Sequence, residues 1–504
     1  MKTHLYISKY KLQLKMVMLC MTFLMLGNTI EAQWIQVGQD IFNDSPSFQA
    51  VSINADGSVL AIGVPQNRIN NFNGYVRIYR KTNDTWVQIG QDLVGEALGD
   101  AFGQYVSLNS DGTIVAIGAP GNDGNYFGTG HVRVFQNIND VWTKLGSDIE
   151  GGKGQKTVDG TQLGDYTGVV SLSNDGSVLA VGAQLSSDNG INAGKIDIYE
   201  YSGNSWVRKG NTILGEAEGD LFGTAVSINN DGTIVAAGGH YNSGSGVRGD
   251  RMGHVRIFEY NGSNWVKVGQ NIDGEFGETS GNSVSLNDNG NVVAIGAINS
   301  KRARVYRNIN NIWTQIGEDI IQYSKNGAVR VSLNSDGKYL VVGTPRAISN
   351  RGSARLYKNI NDSWVQVNDQ ILGGQTADYF GSAVDINADG SYIALGGIGK
   401  MPNGVDSDVV KVYQNGLQLS VNQSSMFTVS PYPNPVINNF HVNFQQDGDY
   451  SFSIYDVSGK KIFHQQKVEL NNTLNFSKYT SGIYILRIKD NSTYKIQYVK
   501  IIRA

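Results

Sequence analysis

All seven tryptophans of the chain sit in one recurring setting, exemplified by Trp86-Val-Gln-Ile-Gly-Gln-Asp-Leu. They are Trp34, Trp86, Trp142, Trp206, Trp265, Trp313 and Trp364, spaced by 52, 56, 64, 59, 48 and 51 residues. Seven tight turns alternate with them, ending in Gly57, Gly112, Gly176, Gly232, Gly290, Gly337 and Gly390. Six read Asp-Gly and one reads Asn289-Gly290. Each lies between two apolar runs, such as Val106-Ser-Leu-Asn109 and Thr113-Ile-Val-Ala-Ile-Gly118. That is a hairpin pattern, because glycine accepts the positive φ that closes the turn. A unit repeated at this period is an array of one supersecondary motif.

Each unit reads as four strands: a Val-Ser-Leu strand, an Ile-Val-Ala-Ile-Gly-Ala strand, a Gly-His-Val-Arg-Val-Phe strand and the strand bearing Trp. Tyr79, Phe135, Tyr199, Phe258, Tyr306 and Tyr357 each precede the next Trp by seven residues. The offset predicts an aromatic facing Trp across the ladder, a pair contributing about 0.5–1.5 kcal/mol beyond burial. Four strands in about 55 residues, seven times over, predict an all-β, seven-bladed β-propeller over residues 33–416. Trp34 has no earlier strands of its own, and the last unit ends at Val409-Val410-Lys411-Val412-Tyr413 without a Trp. Pairing the first strand with the last unit closes the ring, whereas an open solenoid would leave both edges exposed.

Phe102-Gly103 followed by Gly118-Ala119-Pro120 resembles the FG-GAP repeat of integrin α-chain propellers. Phe222-Gly223 and Phe380-Gly381 repeat its first half, and Gly63-Val64-Pro65 and Gly343-Thr344-Pro345 approximate its second. The resemblance covers about residues 34–416 and implies fold rather than function. Calcium-binding members carry Asp-x-Asp-x-Asp-Gly-x-x-Asp between the first two strands. Here that loop is only Asn109-Ser-Asp111-Gly112-Thr113, too few oxygens for the six to eight ligands calcium prefers. No metal is expected. The sialidase Asp-box is not matched either.

Ahead of the repeats, Lys2, Lys9, Lys11 and Lys15 precede an apolar run from Met16 to Leu26. Eleven residues are too few to cross a bilayer, which takes about 20. Residues 1–32 therefore read as a secretory signal peptide cleaved after Ala32. Cys20 is not preceded by Gly or Ala, against a lipoprotein signal. Cleavage removes the only cysteine, and with it any thiol chemistry. Losing four lysines and Glu31 moves the formal net charge from −3 to −6. No transmembrane segment remains in the mature chain.

A polar linker, 417–426, leads to residues 427–504, which break the repeat. Alternating apolar and polar positions predict a small β-sandwich there. Tyr432-Pro433-Asn434-Pro435, Ile454-Tyr-Asp456-Val-Ser-Gly459-Lys460 and Ser481-Gly482-Ile-Tyr484-Ile-Leu-Arg-Ile488 look like the C-terminal sorting domain of type IX secretion in Bacteroidetes. The resemblance makes the type IX machinery a partner and implies export across the outer membrane, then release or surface attachment. This segment carries nine Lys/Arg against five Asp/Glu, which leaves the propeller at −10. An acidic propeller repels phosphate backbones, so nucleic acid is not an expected partner.

On the propeller, the Asp-Gly turns and Asn-rich turns share one face and are short and repetitive. The loops between second and third strands share the other face with the interblade stretches, and they vary. The shortest is near Ile298-Asn-Ser300 and the longest runs from His240 to Met252, with Arg248, Asp250 and Arg251. Binding on a repeat scaffold concentrates on the face that carries insertions. Asp100, Asp220, Glu278 and Asp378 each fall six residues before an aligned Val, and Asp165 matches after a one-residue gap; Ser45 and Lys325 take the other two places. If first strands line the channel, these carboxylates would ring one mouth, as a cation or amine site or as paired acid–base groups. Alternatively, each bonds the backbone of its own turn. His131 and His254 share one repeat position, which suits a structural role. The strand-three cations Arg77, Arg133, Arg256, Arg304, Arg355 and Lys411 recur regularly, placing them between blades, stacked on aromatics. No nucleophile elbow, metal-spaced His pair or phosphate loop is present, and no cofactor is expected. The sequence thus reads as a secreted or surface propeller binding a glycan or protein without chemistry; the alternative is a polysaccharide hydrolase or lyase using the carboxylates or the His240 loop. Fold alone does not decide between them.

Overall fold

The computed structural model describes residues 34–43, 50–65, 73–244, 249–322, 327–400, 406–415, 435–443, 449–456, 460–466, 471–490 and 496–503. Residues 1–32, read above as a signal peptide, residues 417–426, read as a linker, and Ser45, Lys325, Arg248, Pro433, Asn434 and Gly459 lie outside them. The chain divides into two compact units, Met1–Leu417 and Gln418–Ala504.

The first unit is a β-propeller. Among the described residues it holds seven antiparallel sheets built on four strands, in sequential order in all but the last. Their innermost strands are Ala50–Ile53, Tyr105–Leu108, Thr167–Leu172, Phe222–Ile228, Ser280–Leu286, Arg330–Leu333 and Ala383–Ile386. Each packs beside the next, and Ala383–Ile386 packs beside Ala50–Ile53 to close the ring. The outermost strand of the last sheet is the first of the chain, Trp34–Gln36, with Trp34 opposite Asn415 and Gln36 opposite Tyr413.

Middle strands are continuous apolar runs because both of their faces are covered. In Val59–Val64, Leu60 and Ile62 pack on Ala383 and Ala394 of one neighbour, while Val59 and Ala61 pack on Phe102 and Leu108 of the other. Side chains alternate faces along a strand, so each layer between sheets is fed by alternate residues of the two. The core is thus a set of wedges between sheets.

Two belts tie the sheets together around the axis. The turn N–H groups of Ala55, Ser110, Asn174, Asn230, Asp288, Ser335 and Ala388 each donate to the carbonyl of the next residue in that order, and Ala388 donates back to Ala55, at 2.8–3.1 Å. One layer higher, the hydroxyls of five of the six serines at the Val-Ser-Leu position accept an N–H from the next sheet: Leu108 to Ser52, Leu172 to Ser107, Ile228 to Ser171, Leu286 to Ser227 and Leu333 to Ser285, at 2.9–3.1 Å. Asp385 replaces serine in the last sheet. Its Oδ2 takes Ile53 N–H at 2.8 Å, and its Oδ1 takes the Ser332 hydroxyl at 2.9 Å.

The turn glycines are left-handed as expected, from φ +67° at Gly290 to +77° at Gly390. The turn is wider than a two-residue hairpin, however. The side chain of the preceding Asn fills it, as when Asn54 Oδ1 accepts from Ser58 and Val59 N–H.

The six strand-three aromatics that precede Trp by seven residues do not face it; the aromatics that do are Tyr201 and Tyr260, two residues further along, with ring centroids 5.2 and 5.4 Å from Trp206 and Trp265. Tyr79 lies opposite Gln88 while Trp86 lies opposite Lys81, and the same two-residue displacement recurs in the other sheets. The indole turns outward instead, to the preceding sheet. Trp86 Nε1 donates to Val37 O at 2.9 Å, Trp142 to Ile89 O at 3.1 Å and Trp265 to Lys209 O at 2.7 Å. Gly38, φ +76°, lies under the Trp86 ring, where a side chain would collide with it. That positive φ also breaks the Trp-bearing strand, whose continuation, such as Leu93–Val94, pairs again with the third strand.

The sheet built on Thr167–Leu172 is preceded by an extra hairpin, Lys153–Lys156 with Gln162–Gly164, which accounts for the longest Trp spacing. The second unit has a four-stranded sheet, in the order Lys461–Gln466, Tyr450–Asp456, Gly482–Asp490, Ile496–Arg503, and a two-stranded one, Asn439–Asn443 with Asn471–Asn475. They share a core of Phe440, Phe452, Ile454, Phe476, Leu486 and Ile501.

Candidate functional site

First strands do line the axial channel, but the repeated carboxylates face away from it. Asp100, Asp165, Asp220, Glu278 and Asp378 are each at most 5% exposed, and none lines the axial cavity. Asp100 Oδ2 accepts N–H from Glu96 and Ala97 at 3.0 and 2.8 Å; Asp220 Oδ2 accepts from Glu216 and Ala217 at 3.1 and 2.8 Å. Asp378 accepts from Gln375 N–H at 2.7 Å, and Glu278 from Glu275 N–H at 2.6 Å while pairing with Arg304 at 3.0 Å. Asp165 takes the Thr167 hydroxyl at 2.8 Å and Lys195 at 3.1 Å. Burial pushes the Asp220 carboxyl up despite its backbone donors.

The strand-three cations lie between sheets. Arg256 stacks on Phe222 at 4.0 Å and pairs with Glu216 at 3.6 Å. Arg77 pairs with Asp92 at 3.1 Å, Lys411 with Asp40 at 2.9 Å, Arg133 with Glu96 and Asp148, and Arg355 bonds Gln370. His131 and His254 are buried beneath this layer, and desolvation lowers both, His254 to about 3.

In the longest loop, His240 is buried and packs at an inclined angle against Tyr241, ring centroids 4.3 Å apart, with Arg251 over the same Tyr241 ring at 4.8 Å. Burial and the charges of Arg330 and Arg251 hold His240 at about 4, so it is neutral at physiological pH. Its Nδ1 has no hydrogen-bond partner among the described residues. The carbonyls of Asp250 and Arg251 accept from Gly277 and Thr279, which ties this loop to the next sheet.

The axial cavity is about 560 Å³ and is open at the end where first strands begin and second strands finish, the face of the variable loops. Its wall includes the residue two before each serine, or Asp385, of the upper belt: Ala50, Tyr105, Val169, Ala225, Ser283, Arg330 and Ala383. Five of these are small or of medium size. Tyr105 and Arg330 are the large ones, and Gln104, Thr224 and Asn282 add neutral polar groups. Arg330 donates to Asn282 Oδ1 at 2.8 Å. Sequence reading passed over Arg330 and Tyr105 because each occurs once. The signal was the departure itself, an Arg and a Tyr where aligned units carry Ala, Val or Ser.

Among the described residues, no three His, Cys, Asp or Glu side chains are grouped as a metal ion would need, and no helix is long and apolar enough to cross a membrane. In the second unit, Asp456 Oδ1 accepts Lys460 N–H at 3.0 Å across its turn. The buried Tyr484 donates to Thr480 O at 2.8 Å and packs edge-on against Phe476. Pro435 and Gly482 precede the buried Val436 and start the strand Gly482–Asp490, respectively.

Residues 430–503 match the family model described as the secretion system C-terminal sorting domain. Comparison with curated proteins finds no match. Solved structures similar to the chain include the Cps50 (Swd1) β-propeller domain of Myceliophteria thermophila, 12% identical, covering 76% of this chain and 99% of that one, TM-score 0.48. Hydrazine synthase of Kuenenia stuttgartiensis is 14% identical over 72% and 96% of the two chains, TM-score 0.45. PorZ of Porphyromonas gingivalis, a surface component of the type IX secretion system, is 13% identical over 93% of this chain and 61% of its own, TM-score 0.46. The sorting domain marks this propeller for the type IX machinery and for export to the outer surface or beyond.

Proposed function

We propose that this exported propeller is a seven-bladed, FG-GAP-like binding module that holds a glycan or protein ligand on its variable-loop face and performs no chemistry on it. The observation that carries the reading is the axial cavity, which opens among the inner strands on that face and is lined by uncharged polar groups together with Arg330 and Arg346. The FG-GAP likeness draws support from a contact between neighbouring sheets. Gly63, in the second half of one motif, packs against the carbonyl of Gly103, in the first half of the next, where any side chain would overlap it. Residues 1–32 act as the signal peptide and 427–504 as the address, with Pro433, Asn434, Pro435, Asp456, Gly459, Gly482 and Tyr484 as its motif. The five repeated carboxylates serve as turn staples, since their acceptor oxygens are directed at backbone N–H groups or cations of neighbouring segments. No observation favours the hydrolase or lyase alternative.

The test passes the secreted chain over immobilised polysaccharides and scores retention and released oligosaccharides together. Retention without products supports the module. Products would overturn it, and neither outcome on any polysaccharide leaves a protein ligand, to be sought by surface cross-linking.

A further inference from the structure

We propose that the axial cavity is an acidic-sugar subsite in which Arg330 receives a carboxylate and the uncharged polar residues of the wall receive the hydroxyl groups around it. This deepens the binding reading above and rests on it.

The contrast among cations carries the argument. Arg77, Arg133, Arg256, Arg304 and Lys411 each meet a carboxylate between sheets. Arg330 sits on an innermost strand instead, half-buried in the cavity wall, and its hydrogen bonds among the described residues are to Asn282 alone. A guanidinium has five N–H donors in a fixed fork. One Nη is engaged, so most of the fork remains for a ligand. An unpaired cation removed from bulk water costs stability and is retained where function uses it. The titratable groups coupled to Arg330 are Tyr105, on the same layer, and His240; both are neutral at physiological pH, so neither supplies a counter-charge. The buried carboxylate of Asp385 in the belt below is committed to Ile53, Ser332 and Ile386.

The rest of the wall selects the ligand class. A planar fork fits a planar carboxylate through two parallel bonds. Gln104, Thr224 and Ser283 add an amide and two hydroxyls, the groups that hydrogen-bond sugar hydroxyls. Val169, Ala225 and Ala383 leave the floor apolar and low enough for a ring to enter. The acidic charge of the propeller does not exclude such an anion, because charges beyond about 8 Å are screened at physiological salt while the contact at Arg330 is not.

The experiment titrates the full chain with D-glucuronate and, as its neutral counterpart, D-glucose, in the wild type, Arg330→Gln and Arg330→Lys. Glucuronate is expected to bind, with glucose and the Arg330→Gln variant each weaker by about 10-fold or more. Arg330→Lys keeps part of the affinity, because it keeps the charge and loses the fork. Arg330→Gln should melt no lower than wild type, whereas a structural arginine would lower the melting temperature. Equal binding of the two sugars, no glucuronate binding at tens of millimolar, unchanged affinity in Arg330→Gln or tighter binding of inorganic phosphate would overturn the proposal. If a polymer is retained equally by wild type and Arg330→Gln, the binding module stands and the subsite falls. If glucuronate binds at Arg330 and no polymer or partner is retained, the subsite stands and the wider reading falls.

Discussion

The indole N–H of Trp34 donates to the backbone carbonyl of Asp369, 335 residues later in the chain, at 2.7 Å. It is the same latch that every other Trp makes to its preceding sheet. Asn368, at φ +62°, replaces the left-handed glycine that lies beneath the other six rings. The first strand therefore closes the ring twice, through its ladder with the last sheet and through its indole with the sheet before.

The latches should rank by burial. Trp86 is 2% exposed and packs on the Gly38 backbone, so Trp86→Ala should cost about 3–5 kcal/mol. Trp34 is only half-buried and Trp34→Ala should cost about 1–2 kcal/mol, from less apolar area and one hydrogen bond. Denaturant unfolding of the two variants measures both. A larger loss at Trp34 would show that closure depends on the latch more than on the ladder.

The repeat, the strands and the closing pair were legible because they follow from spacing and alternation, which the backbone obeys locally. The seven-residue aromatic offset was legible too, but its meaning was not. Spacing shows that two residues keep a fixed relation, while which sheet the indole reaches depends on the left-handed glycine four residues after the preceding Trp. The carboxylates show the same limit. Their periodicity was plain, yet whether a carboxyl faces the channel or its own turn depends on one backbone rotation. Arg330 and Tyr105 were hidden for the opposite reason, since a search for what repeats discards what occurs once.

The glycine pair between sheets should tolerate no side chain. A methyl group on Gly118 would overlap the carbonyl oxygen of Gly168, and Gly118, on a middle strand, cannot retreat without opening the ladders on both its sides. Gly118→Ala should cost about 3 kcal/mol or prevent folding. Gly203, with φ +56° and open space around it, isolates the purely conformational cost, about 1–2 kcal/mol for Gly203→Ala. Similar losses in thermal melts would sink the steric explanation.

If the repeated carboxylates are staples, Asp100→Ala should lower stability by about 1–3 kcal/mol, because two N–H groups lose their acceptor. Ligand retention by the folded fraction should not change. A variant of wild-type stability that no longer retains ligand would restore Asp100 to the binding site.

Asp385 makes stability depend on pH in a direction opposite to most carboxylates. Burial raises its carboxyl to about 6, above the unfolded value of about 3.9, even with three donors on it. The folded state therefore holds this proton more tightly than the unfolded one. The contribution is fully present below about pH 4 and is lost as pH rises through about 6. Asp385→Ser removes this titration and restores the residue found at the other six places of the belt. Relative to wild type, the variant should gain stability between pH 4 and pH 7 by about 1–2 kcal/mol, most of it between pH 5 and 7. Melting temperatures of both proteins across that range test it: a difference independent of pH would mean that the carboxyl stays ionised throughout, held by Ile53, Ser332 and Ile386 more strongly than burial opposes it.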